Sequence, residues 1–131
     1  MRDIKFRAWD KFTGTMVNVA TLDFGAIGAE CAVDDSGING DLTGEWILEQ
    51  YTGLKDVNGV EIYEGDVVKL YAEIHDTFGF EITKKETGKI VFYAGSFFIS
   101  KGISDEPIYA YENDFEVVGN IHEQPELLEE K

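Results

Sequence analysis

The stretch Val60-Glu61-Ile62-Tyr63-Glu64-Gly65-Asp66-Val67-Val68-Lys69-Leu70 decides the fold class. It reads as a short turn ending at Gly65, followed by alternating residues: Val68 and Leu70 face one side, and Val67, Lys69 and Tyr71 the other. A period of two marks a β-strand with one face on a core. Upstream, Trp46 to Thr52 has strand character, and Lys55-Asp56-Val57-Asn58-Gly59 supplies turn chemistry, with Asn58-Gly59 suited to positive φ.

Downstream, Lys89 to Tyr93 turns at Ala94-Gly95 into Ser96 to Ser100, so that Ile90 and Phe92 pair with Phe97 and Ile99. A last strand spans Phe115 to Ile121, and Pro125-Glu126-Leu127-Leu128-Glu129 permits one helical turn with proline at its start. Five or so short strands at this spacing predict that residues 61–131 form a small SH3-like β-barrel with a short C-terminal helical turn. Val68, Leu70, Ile90, Phe92, Ile99 and Val117 are expected inside it. Residues 1–60 are expected to form a separate N-terminal β-hairpin region, either a β layer against the barrel or a dimerisation element. Its hairpin covers 4–20, turning at Lys11-Phe12-Thr13-Gly14, and glycines at 25, 28, 37, 40 and 44 predict an irregular loop over 25–44. Residues 76–88 are polar enough for another loop. The fold class is therefore mostly β with minor α, without long amphipathic helices.

At 44% hydrophobic and 13% aromatic residues, the chain has enough apolar surface to offset the cost of ordering. No stretch approaches the roughly 18 uninterrupted apolar residues of a membrane span, and the opening MRDIKFRAWD lacks a signal-peptide core, so a cytoplasmic protein with no membrane partner is expected. The single Cys31 cannot form an internal disulfide and reads as a small, partly buried side chain. Eleven basic against 26 acidic residues give a net charge of -15, which repels phosphate backbones and argues against nucleic-acid binding. Residues 12–54 hold seven acids (Asp23, Glu30, Asp34, Asp35, Asp41, Glu45, Glu49) and no Lys or Arg, and residues 102–131 hold nine acids and only Lys131.

Chemistry-bearing patterns fail one by one. His75 and His122 are separated by 46 intervening residues with no neighbouring cysteine, so zinc spacings are absent, and His122 beside Glu123 reads as an exposed histidine by a turn. Asp35, Asn39 and Gly40 match the first, fifth and sixth positions of a calcium loop, but Gly37 replaces the third ligand and Trp46 the twelfth. Acid pairs such as Asp34-Asp35, Asp105-Glu106 and Glu129-Glu130 follow from composition, and no phosphate loop or nucleophile elbow can be read. The expectation is a non-enzyme with no catalytic residue, metal or cofactor. The aromatics could stack bases only beside basic residues, and Lys84, Lys85, Lys89 and Lys101 sit in a segment, 55–101, that is itself net negative by two charges. Core and interface packing accounts for them better, and Trp9, Phe12 and Trp46 are the candidate interaction surface.

Three stretches, KFRAWD at 5–10, QYTGLKDVNGVEIYEGDVVKL at 50–70 and FEVVGNIHEQPELL at 115–128, resemble the YopX family of phage and prophage proteins. The resemblance implies an origin in a phage or prophage and expression in a bacterial cytoplasm, and carries over no activity, cofactor or catalytic residue. The functional expectation is a protein-binding or oligomeric accessory module, a homo-oligomer or a binder of an unknown host or phage protein. The alternative is an acidic mimic of nucleic acid that binds a host DNA-binding protein.

Overall fold

The chain is described from a computed structural model over residues 3–75, 78–79, 81–102, 104–111 and 114–128, with 72–75, 81–84 and 111 described by backbone alone. The strands are Phe6–Asp10 (β1), Thr15–Gly25 (β2), Gly28–Asp34 (β3), Asn39–Asp41 (β4), Trp46–Lys55 (β5), Glu61–Tyr63 (β6), Asp66–His75 (β7), Glu81–Tyr93 (β8), Ser96–Ser100 (β9), Asp105–Pro107 (β10) and Phe115–Asn120 (β11). Two 3₁₀ turns, Ile108–Tyr111 and Pro125–Leu128, complete the described elements. The mostly β expectation holds. Two compact units emerge, residues 1–51 and 52–131, and the boundary falls within β5.

In the first unit the antiparallel order is β4-β3-β2-β1-β5. Asp10 holds the β1–β2 turn: its Oδ1 accepts the N–H of Phe12 at 2.9 Å and of Thr13 at 3.3 Å, and Gly14 closes the turn at φ 66°. One face of the sheet buries Ala8, Ala32 and Trp46, with Val17, Val19, Leu22 and Leu42 packed on them. The Trp46 indole lies on the bare Cα of Gly40, where a Cβ would collide with the ring. In a flat sheet, strands four places apart lie roughly 19 Å from one another, beyond the reach of an indole. The sheet therefore curls until β4 and β5 meet, through a side chain instead of a ladder.

Residues 25–44 are thus not an irregular loop. Gly25 and Gly28 flank a two-residue turn, β3 pairs with both β2 and β4, and the glycines occupy turns or, at Gly40, the seat of Trp46. The weakly apolar run Ala29 to Val33 gave little signal, because small side chains suffice where the covering residue is a tryptophan.

In the second unit β6 lies beside β5, with the Thr52 hydroxyl donating to the Ile62 carbonyl at 2.7 Å. The remaining strands are ordered β10-β9-β8-β7-β11. Their core is Ile62, Val68, Leu70, Ile90, Ile99, Ile108 and Phe115, with Leu54, Phe97 and Val117 packed against it. Among the described residues no ladder joins β10 to β11, and the closed SH3-like barrel expected from the sequence is not found there. Alternation identifies a buried face but not whether two edges meet. Of the six expected interior residues, Val68, Leu70, Ile90 and Ile99 are buried and Val117 is half-buried, whereas Phe92 is 47% exposed. Phe92 pairs with Phe97 one step from the Ala94-Gly95 turn; Phe97 packs against the core and Phe92 is left in solvent. Val67, assigned to the outer face, is also fully buried.

Residues 81–88, expected in a loop, extend β8 along β7 as far as His75↔Glu81; 76, 77 and 80 lie outside the described residues. Both open edges are blunted. Pro107 sits on β10, and β11 is capped by the Val57 N–H to the Phe115 carbonyl at 2.9 Å.

Candidate functional site

The buried acids of this chain hold backbone. Asp34 Oδ1 accepts Ser36 Oγ at 2.7 Å and the N–H groups of Ser36 and Ile38, each at 2.9 Å, which fixes the β3–β4 turn. The Ser36 hydroxyl, followed by the Ile38 N–H, keeps its pKa below the ordinary value against the opposing effect of burial. Asp56 accepts Asn58 N–H at 2.8 Å and Val60 N–H at 2.9 Å on one oxygen, and Val117 N–H at 2.9 Å on the other. Burial alone would raise its pKa, but the N–H donors of Val117, Val60 and Asn58 outweigh it and hold the carboxyl low. Asp66 accepts Tyr63 N–H at 2.8 Å. Across the β1–β5 ladder, Arg7 Nε donates to the buried Glu49 at 2.9 Å. Each of these carboxylates already serves as an acceptor in the fold.

Of the lysines singled out in the sequence, Lys101 is held by carboxylates. Lys101 Nζ lies 2.5 Å from Glu86 and 2.8 Å from Glu106; burial opposes its charge, yet the two carboxylates together raise its pKa. Lys89 lies close enough to Asp105 to help lower that carboxyl, behind the larger effects of Tyr93 and Ser100. The side chain of Lys84 lies outside the described residues, as does that of His75, while Lys85 is exposed. At His122 the backbone N–H donates to Asn120 Oδ1 at 3.0 Å. Among the described residues no group of three or more His, Cys, Asp or Glu could hold a metal ion, and no helix is long and apolar enough to cross a membrane.

The three predicted interaction residues are not brought together. Phe12 is 78% exposed at the β1–β2 turn. Trp9 is half-buried and pairs with Met16 and Ile47 on one face, whereas Trp46 pairs with Asp10 and so belongs to the other. At 4% exposure Trp46 is a core residue, and its indole donates to Asp10; as a contact residue it is a misassignment. Its aromatic character could not distinguish the two roles.

Sequence reasoning missed a surface at the far end of β2. Phe24, 73% exposed, and Ile27, 97% exposed, stand at the tip of the β2–β3 hairpin. Beside them is an open concavity of about 630 Å³, lined in part by Ile27, Glu30, Cys31, Asp41 and Glu45. The Cys31 thiol in its wall donates to Asp23 Oδ2 at 3.2 Å. That hydrogen bond, then burial and the charges of Asp23, Glu30 and Asp41, raise its pKa, which disfavours the nucleophilic thiolate. The missed signal was isoleucine in a two-residue hairpin turn, where Asn or Gly is the usual choice.

No curated protein matches the chain. The crystal structure of protein EF1440 from Enterococcus faecalis superposes with a TM-score of 0.71 at 28% identity, over 98% of this chain and 99% of that one. The YopX protein family matches residues 5–129, which takes in all three stretches that carried the resemblance. The chain belongs to the YopX family.

Proposed function

We propose that this chain is a phage- or prophage-encoded accessory protein that acts in the bacterial cytoplasm by protein–protein contact, without catalysing a reaction. One observation carries the reading: buried carboxylates are committed to backbone N–H groups or ion pairs, while large apolar side chains such as Phe12, Phe24 and Ile27 stand in solvent. A site for chemistry needs polar groups free to act on a substrate; a contact surface needs exposed apolar anchors. Capture from bacterial host lysate with this chain as bait, followed by mass spectrometry, tests it. A reproducible stoichiometric partner, or a homo-oligomer, supports the reading, and a monomer without a partner opposes it.

The acid-only run 12–54 favours a second reading, mimicry of nucleic acid toward a basic host protein. Such a complex would weaken steeply as salt rises, whereas an apolar contact would persist.

A further inference from the structure

We propose that the tip of the β2–β3 hairpin and the concavity beside it dock an extended, lysine- or arginine-bearing segment of a partner protein. The inference rests on the contact function proposed above and assigns it a place and a partner chemistry.

Three observations converge there. Large apolar side chains at 73% and 97% exposure occupy a hairpin tip at which turn geometry does not require them, since Ala26 and Ile27 both have ordinary negative φ. Solvating them is unfavourable, and covering them by a partner recovers that free energy. The second observation is shape. Among the described residues β4 pairs with Cys31, Ala32 and Val33, and Leu42 N–H donates to the Glu30 carbonyl, so Gly28 and Ala29 of β3 run past the edge strand. The space beside Gly28 is open, so another backbone can approach closely.

Charge is the third. Glu30, Asp41 and Glu45 line the concavity, and residues 12–54 contain no Lys or Arg. The Glu30 side chain lies over Gly25, which places its carboxylate toward the hairpin tip. A basic segment finds complementary charge here and an apolar anchor beside it, whereas another copy of a chain with net charge -15 meets like charge.

The test is a titration of the ¹⁵N-labelled full chain with a synthetic peptide of alternating lysine and leucine, followed by amide chemical shifts. The expected shifts concentrate at 24–31 and 39–45. The double variant Ile27→Ser, Glu45→Gln should bind about tenfold more weakly, and the control Glu123→Gln, Glu126→Gln as tightly as the unmodified chain. All four positions are exposed, so the amide spectrum of each variant should stay folded. No shifts, or shifts spread over both acidic blocks with equal weakening by the control, would overturn the site. Concentration-dependent shifts at these residues in the free protein would assign the surface to a second copy and also overturn it. If the chain captures a host partner and the double variant captures it equally well, the docking site is wrong and the contact function stands. If peptide shifts localise but the chain is monomeric and captures no partner, the site stands and the function is wrong.

Discussion

Asp56 and Val117 lie 61 residues apart in the chain, and the carboxylate of the first accepts the backbone N–H of the second at 2.9 Å. The other oxygen of Asp56 holds Asn58 and Val60, so one side chain shapes the turn after β5 and caps the outer edge of β11. Asp56→Ala should therefore strand three backbone donors and cost about 2–4 kcal/mol. Asp56→Asn, which keeps an acceptor but loses the charge, should cost less. Urea unfolding checks both, and an alanine variant within about 0.5 kcal/mol of the unmodified protein would contradict the cap.

Asp34 gives a pH prediction with a definite sign. Its folded pKa is depressed, chiefly by the Ser36 hydroxyl and the Ile38 N–H, so the unfolded chain binds the proton more readily. The stabilisation is present above the unfolded carboxylate value near ~4 and is lost as pH falls through the lower folded value. Because acidification also relieves the repulsion of a net charge of -15, the quantity to follow is the unmodified protein minus Asp34→Asn. That difference should hold at neutral pH and shrink below about pH 4; a difference that grows on acidification would reverse the assignment.

Gly40→Ala places a methyl inside the Trp46 ring and should destabilise the first unit by about 1–3 kcal/mol, with red-shifted tryptophan emission as the indole is displaced. Gly14→Ala adds its methyl in open space and meets only the strain of its positive φ. If Gly40→Ala melts like the parent, Trp46 does not close the curled sheet.

What the sequence shows and conceals follows from range. The strand from Asp66 and the hairpin at Ala94-Gly95 are legible because alternation and turn residues are local, and both Ala94 and Gly95 adopt positive φ as that turn demands. Val67 and Phe92 are misread because burial at a strand end depends on which distant element covers it, and no periodicity encodes that. The glycines of 25–44 looked like loop punctuation, although Gly40 is there because a tryptophan five residues from the edge strand needs its Cα bare. At the candidate surface, Trp46 and Phe12 are both exposed-looking aromatics in the sequence; only the register with Asp10 separates the buried one from the other.

Cys31 should react slowly with iodoacetamide at neutral pH, because the hydrogen bond to Asp23 and the surrounding carboxylates disfavour the thiolate. Asp23→Asn keeps the shape of the partner and removes its charge, so alkylation should accelerate. An unchanged rate would mean that access to the concavity, and not thiolate formation, limits the reaction.

Self-association through the N-terminal hairpin is the remaining prediction. Phe12 is exposed at the β1–β2 turn, and Trp9 is half-buried beside Met16 and Ile47, the residue types enriched at contacts between chains. The net charge of -15 opposes pairing, so association should strengthen with added salt, the reverse of what a complex with a basic partner would do. Light scattering at micromolar concentration and moderate salt should give a multiple of the 14.7 kDa chain mass. Trp9→Glu should shift the particle toward monomer. Since Trp9 also contributes to the sheet, Phe12→Asp, at a position with little to lose in the fold, serves as the second variant and should do the same. A monomeric mass for the unmodified chain at every salt concentration would refute self-association, and an oligomer indifferent to both substitutions would place the contact elsewhere.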